Sequence, residues 1–448
     1  MEKKNTWETY SSKQLKELEK INAQYRDFLD NGKTERECID TIVNTIEKSG
    51  YRELESLIKE GAALKTGDKV YSVWMNKSIA MFQIGRKPMT DGMNILGAHI
   101  DSPRLDVKQN PLYEDGGFAY LDTHYYGGVK KYQWVTIPLA IHGVIVKKDG
   151  TCVEINIGEN EDDPVFFVSD LLIHLAQEQL EKKAAKVIEG EALDIIVGNK
   201  PLLIDKKDKK KDEKEAGKEA VKAGVLDILK ETYDIHEEDF VSAELEIVPA
   251  GKAREAGFDR SMTLAYGQDD RVCAYTSMQA MLDSDVTDRT MCCILVDKEE
   301  IGSVGATGMQ SHFFENAVAE VMNLAGEYSE LNVRRCLAHS CMLSSDVSSA
   351  FDPTYASSFD KKNVAYLGGG MVINKFTGAR GKSGSNDANA EYLAHLRHIF
   401  DKAEVNFQTA ELGKVDLGGG GTIAYILALY GMNVIDSGVA VLNMHAPW

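Results

Sequence analysis

Two adjacent carboxylates, Glu299 and Glu300, stand directly behind the apolar run MCCILV in the segment ILVDKEEIGS. A run of that kind reads as a buried strand, where charge is costly unless it is paired or bound to a metal. The pattern recurs along the chain. His99 closes NILGAH, Asp269 follows MTLAYGQ, Asp346 follows CLAHSCMLSS and His445 closes GVAVLNM, so separate strand ends each deliver a carboxylate or an imidazole. Mixed nitrogen and oxygen donors of this kind suit zinc. Two imidazoles and three carboxylates suffice for two ions, which in paired-metal hydrolases lie about 3.5–4 Å apart. A carboxylate that is not a ligand is then needed to take the proton of the attacking water and pass it to the leaving amine. The doublet answers that need: one Glu ligates and its neighbour is the base.

The elements that must position these residues follow from the periodicity. Residues from about 11 to 60 carry leucine and isoleucine at helical spacing, with Asn31-Gly32 as a break between two helices. From about 69 to 108 the pattern turns to strands, KVYSVWM, SIAMFQIG and NILGAHI. The segment from about 110 to 250 differs in texture, opening with YEDGGFAYLDTHYYGGVKKYQWV and continuing through LAIHGVIV and CVEINIG, and it reads as an inserted second domain. Within it, DKKDKKKDEKEAGKEAVKAG mixes both signs at low hydrophobicity and reads as a solvated loop or helix. From about 260 onward, the apolar runs MCCILV, RRCLAHSCML and GVAVLNM alternate with helical patterns. The expected fold is therefore α/β: a mixed, largely parallel sheet flanked by helices, with an inserted β-rich domain. The expected divisions are 1–104, 105–250 and 251–448, the first and last forming one domain. In such sheets ligands gather beyond the carboxyl ends of the strands.

Composition removes several function classes. The 448 residues are 43% hydrophobic, ample for a large core, and the formal charge of −19 argues against a nucleic-acid binder. Seven cysteines, including the adjacent Cys292 and Cys293, form no disulfide framework and suit a reducing cytosol. The amino terminus has no apolar signal region, and no stretch reaches the roughly 18–20 apolar residues that a membrane span needs. A soluble, cytoplasmic protein is expected. A nucleotide-binding reading is weak: IGSVGATG lacks G-x-G-x-x-G, GARGKSGS is two residues short of a phosphate loop, and LGGGGTIA has no lysine. The run DLGGGGT reads instead as a lining of the substrate pocket, where glycine lets backbone amides reach a bound peptide.

The segments GAHIDSPRL, GQDDR, VDKEEIGS, SSDVSSAFDP and NMHAPW resemble, in order and spacing over nearly the whole chain, the M18 family of metallo-aminopeptidases of the aspartyl-aminopeptidase type. The resemblance implies a zinc exopeptidase fold and removal of an amino-terminal residue from peptides. It implies two Zn2+ per subunit, with Co2+ or Mn2+ also compatible with the donors. His99, Asp346 and a bridging Asp269 would hold one ion, and Glu300, His445 and the same Asp269 the other, with Glu299 as general base. Asp101, in the H-x-D pattern, would orient His99. The peptide bond after Asp269 would be cis, and a further helix would follow His445, where this sequence ends at Trp448. The inserted domain would drive dimerisation and assembly into a homododecamer, in which His174 of DLLIHLAQEQ reaches a neighbour's site to bind substrate or stabilise the oxyanion.

Competing assignments remain at single positions. Asp270 rivals Asp269, and Asp352 rivals Asp346, although the proline after Asp352 suggests a turn. His124, His142, His236, His312, His339, His395 and His398 match no ligand motif and read as surface or packed residues. The aspartyl-type relatives favour acidic amino-terminal residues through a basic side chain, for which NKFTGARGKSGSN offers Lys375, Arg380 and Lys382, with Arg380 or Lys382 the expected source of a modest acidic preference. The alternative is the same mechanism with neutral or broad specificity.

Overall fold

The computed structural model describes residues 5–202 and 219–448. It forms two compact units, Met1–Ser102 with Gly267–Met444, and Pro103–Tyr266 with His445–Trp448. Most of the mixed-charge stretch that begins at Asp205 lies outside the described residues.

The first unit is built on nine strands: β1 (Arg52–Glu53), β2 (Lys69–Trp74), β3 (Ser78–Gln83), β4 (Asn94–His99), β5 (Met291–Val296), β6 (Cys341–Ser345), β7 (Met371–Asn374), β8 (Phe407–Thr409) and β9 (Asn433–Gly438). Their order in the sheet is β1-β2-β3-β5-β4-β6-β9-β7-β8. The central four, β5, β4, β6 and β9, run parallel to one another. Pairs β2–β3, β3–β5 and β7–β9 are antiparallel, so the sheet is mixed and mostly parallel. Every residue of β5 is buried, as its unbroken apolar sequence requires of a central strand. One core cluster joins Phe82, Ile294, Met342 and Val434 to the helix Phe313–Leu324, and another joins Ile373 and Ile435 to the helix Ala390–Lys402. The helices Ser12–Asn31 and Glu35–Lys48 each begin with a capping box, at Ser11 and Thr34, and are separated at Gly32.

The structure corrects three details of the pattern. RRCLAHSCML is not one strand, because Val333, Cys336 and Leu337 repeat at helical spacing inside the helix Glu330–His339, leaving Cys341–Ser345 as the strand. The strand before His445 is NVIDSG, whose Asp436 and Ser437 disguise it, while Ala440–Val441 makes only a short two-stranded pairing. Asp269 does not follow a strand of this sheet. It follows Gly267, which turns the chain at φ 74, and with Asp270 it departs from helical geometry at a kink near the start of the helix Gln268–Asp283.

The second unit is a six-stranded antiparallel sheet, ordered Cys152–Ile157, Leu139–Val146, Ala243–Pro249, Arg104–Asp115, Phe118–Tyr126, Ile195–Gly198. Trp134, Leu139, Leu193 and Ile247 are among its fully buried core residues. The unit continues past 250 through the hairpin of Arg254–Ala256 and Met262–Leu264. All seven cysteines are unbridged, and no helix among the described residues is long and apolar enough to cross a membrane.

Candidate metal centre

Parallel strands bring their carboxyl ends to one edge of a sheet, and here that edge carries the acids. Val296 at the end of β5 is the register partner of His99 at the end of β4. Three residues on, Glu299–Ile301 forms a short 3-10 turn entered through Lys298 at φ 71 and left through Gly302 at φ 97. Asp346 follows β6 directly, its amide donating to the carbonyl of Ser437 at 2.9 Å. The turn and the strand ends thus bring the doublet, His99 and Asp346 to the same edge.

His99, Asp269 and Asp346 each offer a ligand atom within 4.8 Å of the others. The Nε2 of His99 lies 3.2 Å from Asp269 Oδ1, 3.8 Å from Glu299 Oε2 and 4.0 Å from Asp346 Oδ2. Its Nδ1 is held by the carbonyl of Asp101 at 3.0 Å and by Asp101 Oδ1 at 3.2 Å. The ring is thereby aimed with Nε2 toward the acids, the arrangement a histidine ligand needs. Asp101, fully buried, does more than orient His99: its Oδ1 and Oδ2 accept the amides of Glu299 and Glu300, each at 3.1 Å.

The electrostatics follow from the crowding of these acids. Burial pushes the Asp346 carboxyl well up, and the charges of Asp270, Asp269 and Glu299 add to the shift. Burial likewise raises Asp270 well above the carboxylate range, and Asp269 adds to it. Burial alone would lower His99, but its bonds to Asp101 and Asp269 and the charge of Glu299 lift it well above its usual value. Even Asp297, behind the turn, is pushed up to about 6 by burial and by the charges of Glu35 and Asp101. Several buried acids raising one another form a site that a divalent cation would relieve, and the donors, imidazole nitrogen and carboxylate oxygen, are those zinc accepts.

The other expected residues fall as follows. Asp269, not Asp270, shares the donor group. The peptide between them is cis. Asp270 is fully buried behind it, beside Cys273. Asp352 accepts from the amide of Thr354 at 2.8 Å and caps a 3-10 turn, the ordinary role of Asp before proline. His445 belongs to the second unit, where its Nδ1 lies 2.8 Å from the carbonyl of Gly128. His174 stands exposed in a 3-10 turn, Ile173–Leu175, rather than packed within an apolar face. Lys382 pairs with Asp387 at 2.9 Å and lies over the Phe376 ring, and Lys375 is 3.7 Å from the same Asp387. Arg380 is exposed.

Sequence reasoning missed Ser102, whose hydroxyl donates to the Asp269 carbonyl at 2.5 Å, and Asp436, buried inside β9. A charged residue within an apolar run was the available signal for Asp436; Ser102 offered none.

Residues 28–448 match the model of the M18 peptidase family, described as aminopeptidase I zinc metalloprotease. The chain is 63% identical over 447 residues to a probable M18 family aminopeptidase 1 of Clostridium acetobutylicum, covering 100% of this chain and 94% of that one. A crystal structure of an M18 aminopeptidase from Thermotoga maritima superposes with a TM-score of 0.93 at 44% identity, covering 100% of this chain and 95% of that one. A yeast mApe1 dodecamer shares the fold, with a TM-score of 0.75 at 19% identity over 96% of this chain and 92% of that one. The chain belongs to the M18 family of zinc metallo-aminopeptidases.

Proposed function

We propose that this aminopeptidase uses two divalent ions, with His99, Asp269 and Asp346 holding one and Asp269, Glu300 and His445 the other. The observation that carries the reading is the convergence of three ligand atoms within 4.8 Å, with Glu299 3.8 Å from the same imidazole nitrogen. Bound zinc supplies Lewis acidity, lowering the pKa of water toward 7 and polarising the scissile carbonyl. Glu299 is the general base: it takes the proton of the attacking water and delivers it to the departing amine, releasing the amino-terminal residue. Asp101 fixes the division of labour, because the two backbone amides it accepts set where the side chains of Glu299 and Glu300 begin. Peptides are the substrates, in a cytoplasmic homo-oligomer. A yeast protein of the same fold is described as a dodecamer, and the same assembly is proposed here, with the second unit making the contacts and His174 serving a neighbouring site.

The paired variants Glu299→Gln and Glu300→Ala test the assignment. The first is expected to lose about 10²–10⁴-fold in turnover with its metal content intact, and the second to lose metal. Equal metal loss in both, or an active Glu299→Gln, contradicts it.

Arg380 or Lys382 is the proposed source of a modest preference for acidic amino-terminal residues. A second reading, neutral or broad specificity, is favoured by the pairing of Lys375 and Lys382 with Asp387, which leaves less positive charge for a substrate carboxylate.

A further inference from the structure

The run Gly418–Gly421 has no side chains with which to hold its own shape. Its backbone is fixed by neighbours: the Gly418 amide donates to the carbonyl of Lys414 at 2.9 Å and the Gly420 amide to that of Thr377 at 3.1 Å. A methyl group at Gly418 would overlap the carbonyl of Leu412, and one at Gly419 the backbone of Ala379, so the close approach requires glycine. The first side chain able to anchor the run is Thr422. Its hydroxyl donates to Asp436 Oδ1 at 2.5 Å, and in turn accepts from the Ala424 amide at 3.3 Å.

Asp436 is only 2% exposed, an unusual place for a carboxylate in the middle of a sheet. Its register partners are Ser344 on β6, two residues before Asp346, and Asn374 on β7. Asn374 is committed to the carbonyl of Ala410, and Ser344 Oγ and Asp436 Oδ2 have no hydrogen-bond partner among the described residues. The bond to Thr422 is therefore the contact that justifies a buried carboxylate here, since an unpaired one is costly. The carboxyl is pushed up to about 7 by burial, and Glu299 contributes to the shift. The anchor thus lies on the strand paired with the one that delivers Asp346.

We propose that Asp436 and Thr422 are positioning residues that clamp the Gly418–Gly421 backbone to the sheet beside the strand end that carries Asp346, so that the run meets the backbone of a bound peptide. This rests on the peptidase reading of the same site. Thr422→Val removes the hydroxyl at nearly constant shape, and Thr422→Ser restores it. A buried hydrogen bond is worth enough to predict about a tenfold rise in KM for a Leu-Gly-Gly tripeptide in the valine variant. The kcat should change less than twofold and the metal content not at all, while serine recovers the parent KM. Amide hydrogen exchange read on the segment 411–424 should quicken in the valine variant and return to normal in the serine one. An unchanged KM, an unchanged exchange rate, or a serine variant as impaired as valine overturns the proposal. Failure of the parent enzyme to cleave the tripeptide in the presence of zinc or cobalt would overturn the peptidase reading and the substrate-positioning claim together, while the exchange data separately decide whether the clamp exists.

Discussion

A single buried carboxylate, Asp101, touches the imidazole of His99 and both amides that open the Glu299–Glu300 turn. Neighbours of this kind, outside the ligand set, govern how well a site is formed. The H-x-D spacing made the first contact legible. The other two join residues 198 and 199 positions apart and emerge only when β4 and β5 are paired. Asp269 was preferred to Asp270 through the family resemblance, because adjacent identical residues carry no distinguishing signal in one sequence. Specificity is settled at the same scale. Removing the acid that occupies both lysines, in Asp387→Asn, should raise cleavage of Glu and Asp relative to Leu about two- to fivefold, the range of an exposed ion pair. A panel of aminoacyl-nitroanilides measures it. An unchanged ratio would show that these lysines do not read the substrate.

At the level of elements, β9 carries the most informative exception. Burial raises Asp436 to about 7 against an ordinary 3.8, with Glu299 adding to the rise and the Thr422 bond opposing it. The folded chain therefore holds this proton more tightly than the unfolded chain does. The resulting stabilisation is complete below about pH 4 and is lost as pH rises toward 7, amounting to about 4 kcal/mol. In chelator-treated protein, Asp436→Asn should gain stability relative to the parent between pH 4 and pH 7, as read by urea denaturation. A difference between the two that stays constant with pH would refute the shift. Legibility along the chain followed the same logic. MCCILV and NILGAH were readable because apolar runs of six residues flanked by turns and charges leave little choice, whereas NVIDSG hid behind its own polar residues. The helix Glu330–His339 was missed because its apolar residues run straight into those of the next strand.

For the whole molecule, the second unit presents Leu172, Ile173 and Leu175 to solvent, Ile173 and Leu175 at 68% and 67% exposure, around His174. Apolar side chains that exposed in one segment suit a surface covered by another subunit. Ile173→Glu should lower the mass measured by light scattering and reduce activity, with the thermal midpoint of the monomer unaffected, because the side chain is largely exposed within its own chain. An unaltered mass would place the assembly contacts elsewhere.

The account turns most directly on the ions. Chelator-treated protein titrated with Zn2+ or Co2+, followed by calorimetry and elemental analysis, should take up two equivalents per chain and regain peptide hydrolysis as they bind. His99→Ala and Glu300→Ala should each retain no more than one tight equivalent. Full peptide hydrolysis by the metal-free chain, or undiminished uptake in both variants, would contradict the account.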